Sequence, residues 1–297
     1  MKHKFLFLFT LTLVLLFVVR FYKLTENPEG FDQTEASFAY NAYSILKTGR
    51  DEYGKFLPFI LMSFGDYKLS GYAYWEMPFI AILGLNEFSV RFSTVTAGMV
   101  SLLLIYYIVS KIFQDRKLAL LTFLFTGMAP WHIVLSRMAY DPLVAVAAHL
   151  ASIAFFLGWQ EKRKMYLLFL SAVSLCFSLA TYYAAWVIVP FSILVYWVFL
   201  YRKTGSKSEF IRLSLVYFLP FIMMAILLWV TKGERLYQDS TYQVHAQPLL
   251  EEQIREDQQE FPLLVTRAFH NKAVFYPQFL LENLFKNLSF DFLFLKG

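Results

Sequence analysis

The sequence predicts an all-α integral membrane protein of about seven transmembrane helices, with amphipathic juxtamembrane helices in its first outer loop. Three observations predict it. Of 297 residues, 58% are hydrophobic and only 16% charged, with a mean hydropathy of +0.49, whereas a soluble chain carries roughly 45–50% apolar and about 25% charged residues. Charge-free apolar runs recur along the chain, each near the about 20 residues that a helix needs to cross a hydrocarbon core. The 27 Lys and Arg, which leave a net charge of +5, gather in short clusters between those runs and form no face or stripe, the pattern of membrane-protein loops and not of a nucleic-acid partner. With 33 Phe, 19 Tyr and 6 Trp the chain cannot stay disordered, and the single Cys176 excludes an internal disulfide framework or a cysteine-based metal cluster.

Taken in order, residues 5–19 are free of charge and form the first span, with Arg20 placed to snorkel at its rim. No small-residue cleavage site follows Val19, so the run reads as an uncleaved anchor. Residues 92–110, 118–136, 142–160 and 213–231 each give one span. The run 165–201 is long enough for two, with Thr181-Tyr182-Tyr183 as the turn. Residues 77–86, between Glu76 and Glu87, are too short to cross and should lie along the interface. Lys2 and Lys4, the 111–117 and 161–164 turns and the 202–212 loop are rich in Lys and Arg, and the opposite short loops offer only Arg137. The positive-inside rule then puts the N-terminus in the cytoplasm and residues 23–90 and 232–297 outside. Two regions follow: a membrane domain over 1–231 with its outer loop at 23–90, and an external segment at 232–297. The run 251–257 reads as a solvated mixed-charge helix.

Chemistry is expected in the outer loops, because spans two to seven contain no Asp, Glu, Lys or Arg. Their imidazoles, His132 and His149, read as neutral histidines bonded between helices. In the first outer loop Ala36, Ala39, Tyr43 and Leu46 recur at helical spacing and Gly49 is a stop signal, which predicts an amphipathic helix over 33–47. Asp32 and Glu35 open it, and their spacing fits a variant capping box. They also fit catalysis: moving a glycosyl group needs a carboxylate to accept the acceptor's proton and cations to stabilise a leaving phosphate. Asp32, Glu35 and Asp141 are the candidate bases. Lys68, Arg91 and Arg137 are the candidate phosphate partners, with lipid-headgroup anchoring the alternative for Lys68 and Arg91. No glycine-rich phosphate loop occurs, and the first outer loop has no Asp-x-Asp metal signature, so neither metal nor cofactor is expected.

An N-terminal span, an acidic pair opening a juxtamembrane helix, Tyr-Asn-Ala-Tyr-Ser-Ile-Leu-Lys-Thr-Gly at 40–49, Asp66-Tyr67-Lys68, an aromatic interfacial segment and Val90-Arg91 follow one another in this chain. That order resembles the C-type glycosyltransferases of the protein O-mannosyltransferase superfamily and its bacterial branch, which includes the aminoarabinose transferase of lipid A. Ser136-Arg137-Met-Ala-Tyr-Asp141-Pro142 resembles the family's second outer loop, and His270-Asn271-Lys272 with the closing 285–297 resembles the stretch before its eighth span. The resemblance implies a multi-pass protein of the bacterial plasma membrane and cell envelope. It would take a sugar from a polyprenyl-phosphate donor at the outer face and pass it to a lipid, glycan or protein. It implies catalytic Asp32, Glu35 and Asp141, and Tyr67, Lys68, Arg91 and Arg137 for substrate. Family members continue with further helices, so the chain resembles an N-terminal portion. Many bacterial relatives read Asp-Glu-Ala where this chain has Thr34-Glu35-Ala36, so Asp32 or Glu35 would have to serve as base. The alternative is a non-catalytic protein on the same scaffold that binds lipid-linked sugar or a partner.

Overall fold

The computed structural model describes residues 2–63 and 66–230, with a few isolated positions between 278 and 285. The segment at 232–297 that the sequence expects outside, with the 251–257 run, His270 to Lys272 and the closing motif, otherwise lies outside the described residues.

The described unit is helical as predicted. Helix α1 runs Lys2–Phe21, α2 Gln33–Thr48, α3 Gly71–Leu83, α4 Glu87–Phe113, α5 Arg116–Met128, α6 Pro130–Arg137, α7 Asp141–Lys162, α8 Met165–Thr181, α9 Ala185–Lys203 and α10 Lys207–Val230. The expected spans fall on these helices except that the 118–136 run is split between α5 and α6, and the 165–201 run breaks at Tyr182 to Ala184, one position after the expected turn at 181–183. By length and composition the seven-span count is not reached. Among the described residues α4, α7, α9 and α10 are long and apolar enough to cross, and α5 with α6 makes a fifth if the pair is one span bent by 61°. The apolar parts of α1 and α8 are shorter.

One element departs from the all-α expectation. Strands β1 (Ile60–Ser63) and β2 (Asp66–Leu69) form an antiparallel hairpin with Leu61 opposite Lys68 and Met62 opposite Tyr67. Leu61 and Leu69 are buried, so this short hairpin is held by its side chains on the helices, as an isolated pair would not be.

Helix α2 starts and stops where its sequence says. Asp32 accepts from the Thr34 amide at 2.9 Å and the Glu35 carboxylate accepts from the Asp32 amide at 3.1 Å, a reciprocal capping box. Gly49 ends the helix in the left-handed conformation at φ 72°, which glycine adopts without strain. The deepest stripe is Glu35, Phe38, Ala42 and Ile45, one position round from the predicted one. It packs on α3, α4 and α7 in a core that includes Tyr72, Ala73, Val90 and Val144. The Phe38 and Tyr72 rings meet edge to face at 4.9 Å, which adds about 0.5–1.5 kcal/mol beyond area burial.

Helix α3 extends the expected interfacial run backward to Gly71. Its first turns are buried and its last residues, Ile82 and Leu83, are exposed. A Cβ on Gly71 would lie 2.5 Å from Thr181 Oγ1 and 2.6 Å from the Ala180 carbonyl, so glycine is what lets α3 start against the end of α8.

Arg20 does not snorkel. It is fully buried and donates to the Leu16 carbonyl, to Gly127 O at 2.7 Å and to His132 Nδ1 at 3.0 Å. The α5–α6 break explains this, since Pro130 begins a new helix and releases the Gly127 carbonyl from its ladder. A guanidinium only donates, so His132 Nδ1 accepts and its Nε2 carries the hydrogen toward Ser101 Oγ at 3.1 Å. His149 meets Ser192 on α9 at 3.0 Å, an interhelical bond of the kind expected of both histidines.

Candidate functional site

At one end of the bundle the start of α2, the β hairpin, the first turns of α3 and α4, the α6–α7 connection and the α8–α9 turn come together. The sequence-predicted residues divide here into a buried frame and a more open rim.

The frame is built on Glu35 and Arg91. Glu35 is 3% exposed and Arg91 0%. Arg91 Nε donates to Glu35 Oε1 at 3.3 Å and Nη2 to Oε2 at 3.1 Å, a two-pronged contact. Glu35 Oε1 also accepts from the Ala139 amide at 2.7 Å, and Oε2 from the Asp32 amide. Each carboxylate oxygen thus has two donors. Arg91 Nη1 reaches the carbonyls of Leu24, Thr25 and Pro28, and Nη2 that of Gly30.

Arg137 works the same stretch from α6. Its nitrogens donate to the carbonyls of Val19, Arg20, Lys23 and Asn27 at 2.8–3.2 Å. Two of these belong to the last turn of α1, whose carbonyls have no intrahelical donor. The two arginines therefore hold the α1–α2 connection by its backbone, and in this structure the donors expected to meet phosphate meet carbonyls.

The rim holds Asp32, Lys68 and Asp141. Asp32 is exposed at its cap, and the Thr34 amide, with help from Lys68, holds its carboxyl below the usual range. Asp141 opens α7 in its first turn, where an acid complements the helix dipole. Lys68 on β2 acts electrostatically on both acids, and its ammonium lies 5.3 Å from the centre of the Phe38 ring. Tyr67 beside it is tied to the α8–α9 turn, its carbonyl accepting from the Tyr183 hydroxyl at 3.3 Å. Asp141 stands two residues after Ala139, whose amide is bonded to Glu35, so the α6–α7 connection is joined directly to the acidic start of α2.

Several groups here escaped sequence reasoning. Tyr140 and Tyr182, both partly buried, feel the charge of Asp141; burial first, then that charge, raises the Tyr140 phenol, and Tyr182 is raised by burial, Tyr140 and Asp141. Glu76 on α3 is 0% exposed, and neither carboxyl oxygen has a hydrogen-bond partner. Burial raises its pKa well above the carboxylate range; the neighbouring Tyr72 hydroxyl opposes this, and the charges of Glu35 and Asp141 add to it. That hydroxyl is bonded to Thr94 Oγ1 at 2.6 Å. Glu76 reads in the sequence as the edge of an apolar run; its helical spacing from Tyr72 and Ile80 was the available sign that it faces inward.

Among the described residues no group of three or more His, Cys, Asp or Glu is arranged to hold a metal ion. The arrangement brings acids from two helices and a cation from β2 to one end of the bundle, beside a saturated ion pair. Residues 10–232 match the family model for dolichyl-phosphate-mannose-protein mannosyltransferase. No curated protein and no solved structure matches the chain.

Proposed function

The chain belongs to the dolichyl-phosphate-mannose-protein mannosyltransferase family, and from that premise we propose that it transfers a glycosyl group from a polyprenyl-phosphate sugar to a lipid, glycan or protein of the cell envelope. The family is one of glycosyltransferases, and the apolar helices make the chain a multi-pass membrane protein. The observation that carries the reading is geometric: Asp141 follows Ala139, whose amide is bonded to Glu35 in the first turn of α2, so acids contributed by two different helices stand at one end of the bundle with Lys68.

In this reading a carboxylate of the rim takes the proton of the acceptor hydroxyl or amine. The acceptor atom bonds to the anomeric carbon, and the carbon–oxygen bond to phosphate breaks with its electron pair leaving on the polyprenyl phosphate. Lys68 stabilises the charge that develops there. Asp141 suits the base better than Asp32, whose carboxyl the Thr34 amide makes a weaker proton acceptor. Glu35, with both oxygens occupied, holds Arg91 and the α6–α7 connection in place. Tyr67 lies next to Lys68 on β2, with its side chain on the opposite face of the strand. The clusters of Lys and Arg support an orientation with this end of the bundle outside and the N-terminus in the cytoplasm.

The test is transfer from a labelled polyprenyl-phosphate mannose in membranes carrying the full gene product. Asp141→Asn should abolish transfer and Asp32→Asn should reduce it, both with wild-type stability. Transfer that survives Asp141→Asn would remove that residue as base. The saturation of Glu35 and the presence of Thr34 favour a second reading, a scaffold that binds the lipid-linked sugar without transferring it; binding of the donor with no transfer by the wild-type protein would establish it.

A further inference from the structure

Glu76 has the surroundings of an acid that keeps its proton. Its side chain lies on the inner face of α3 with Tyr72, Ala73 and Ile80, on the core shared by α2, α4 and α7. A buried carboxylate needs a cation or several donors, and Glu76 has no hydrogen-bond donor on either oxygen. The Tyr72 hydroxyl can offer one donor at most, and the other groups that could supply one are committed. On its own helix, Tyr72 bonds to Thr94 and lies 3.4 Å from Ser93, and the Trp75 indole donates to the Ser93 carbonyl at 3.0 Å. On α4, Arg91 is held by Glu35 and four carbonyls. On α8, Thr181 donates to its own helix. The charges that reach Glu76 are those of Glu35 on α2 and Asp141 on α7, both acidic.

We infer that Glu76 is a positioning residue that works as a neutral acid, keeping the charge of the site low enough for an anionic ligand. The site already holds Asp32, Glu35 and Asp141 against Lys68, Arg91 and Arg137. Ionised Glu76 would add a fourth negative charge beneath the rim where a lipid phosphate has to enter. The consequence for phosphate rests on the proposed function; the protonation of Glu76 does not. Since the folded protein binds this proton more tightly than the unfolded chain, its stabilising effect is complete below the unfolded carboxyl value of about 4.3 and is lost as pH rises through the folded value.

The test compares wild-type protein in detergent with Glu76→Gln, a neutral side chain of nearly the same shape. The infrared spectrum at neutral pH should contain a protonated-carboxyl C=O band that Glu76→Gln removes. The Tm of the wild type should fall as pH rises above about 4.3, the Tm of Glu76→Gln should fall less, and the two should agree at the acid end. An unchanged carboxyl band, or a Glu76→Gln protein whose Tm falls with pH as steeply as that of the wild type, would overturn the inference, because either result means that Glu76 holds no proton at neutral pH. Failure of both proteins to bind a polyprenyl phosphate, with the band and the pH response as expected, would count against the proposed function alone.

Discussion

Replacing Arg91 separates a structural arginine from a ligand-binding one. Arg91→Ala removes two contacts to Glu35 and all those to the carbonyls of residues 24–30, and leaves the Glu35 carboxylate buried at 3% exposure without its cation. Breaking a buried ion pair from one side costs about 3–5 kcal/mol. Water can reach the connector once its anchor is gone, so the freed carbonyls add little. Arg91→Lys keeps the charge but cannot span both carboxylate oxygens and the carbonyls at once; losing one charged hydrogen bond costs about 1.5–3 kcal/mol. The double variant Arg91→Ala with Glu35→Ala should be more stable than the sum of the two losses predicts, by about 0.5–3 kcal/mol, because no charge is then left unpaired. Unfolding of the purified protein in detergent, followed by helix dichroism against denaturant, measures the wild type, the three single variants (Arg91→Ala, Arg91→Lys, Glu35→Ala) and the double variant. The reasoning is refuted if Arg91→Ala unfolds at the wild-type midpoint and loses only its affinity for a polyprenyl phosphate, since that would make the arginine a free ligand group.

Three further outcomes follow from the geometry. Asp32→Ala removes the side chain that caps α2 and should cost about 0.5–2 kcal/mol, read in the same unfolding assay. Gly71→Ala puts a methyl group against the backbone of Ala180 and should destabilise by about 1–3 kcal/mol; a neutral result would mean that α3 and α8 can separate freely. In a Cys176→Ser background, Lys55→Cys should react with an impermeant thiol reagent in intact cells and Arg163→Cys should not, and the reverse pattern would invert the proposed orientation.

What was legible in the sequence was local. The cap at Asp32, its partner Glu35 and the stop at Gly49 lie within one helix, and their spacing alone fixes both ends of α2. The helical runs were legible because lipid tolerates only apolar side chains over such lengths. The jobs of Arg20, Arg91 and Arg137 were not, because their partners include backbone carbonyls far away in sequence, which carry no residue signature. Arg91 reaches Leu24 across 67 positions and Arg137 reaches Val19 across 118. The β hairpin was hidden for another reason: a short apolar strand and a short apolar helix look alike in an aromatic loop.

The position of Thr34 turns this geometry into a choice between the two functional readings. Its amide is already bonded to Asp32, so Thr34→Asp keeps the cap and adds a negative charge in the first turn of α2. That charge gains about 0.3–1 kcal/mol from the helix dipole, but it stands beside Asp32 and Glu35 and replaces the hydroxyl that also bonds Asp32, so no net gain in stability is expected. It also restores the acid that many bacterial relatives carry there. If Asp141 is the base, the wild-type protein already transfers sugar, and Asp141→Asn abolishes transfer whether position 34 is Thr or Asp. The decisive comparison is therefore Thr34→Asp with and without Asp141→Asn, assayed with one labelled polyprenyl-phosphate sugar. A silent wild type that gains transfer through Thr34→Asp would show that the reacting carboxylate belongs on α2. Asp32, held two residues away as a cap, would then be a structural group, and the natural chain would be a binding scaffold that lacks its base.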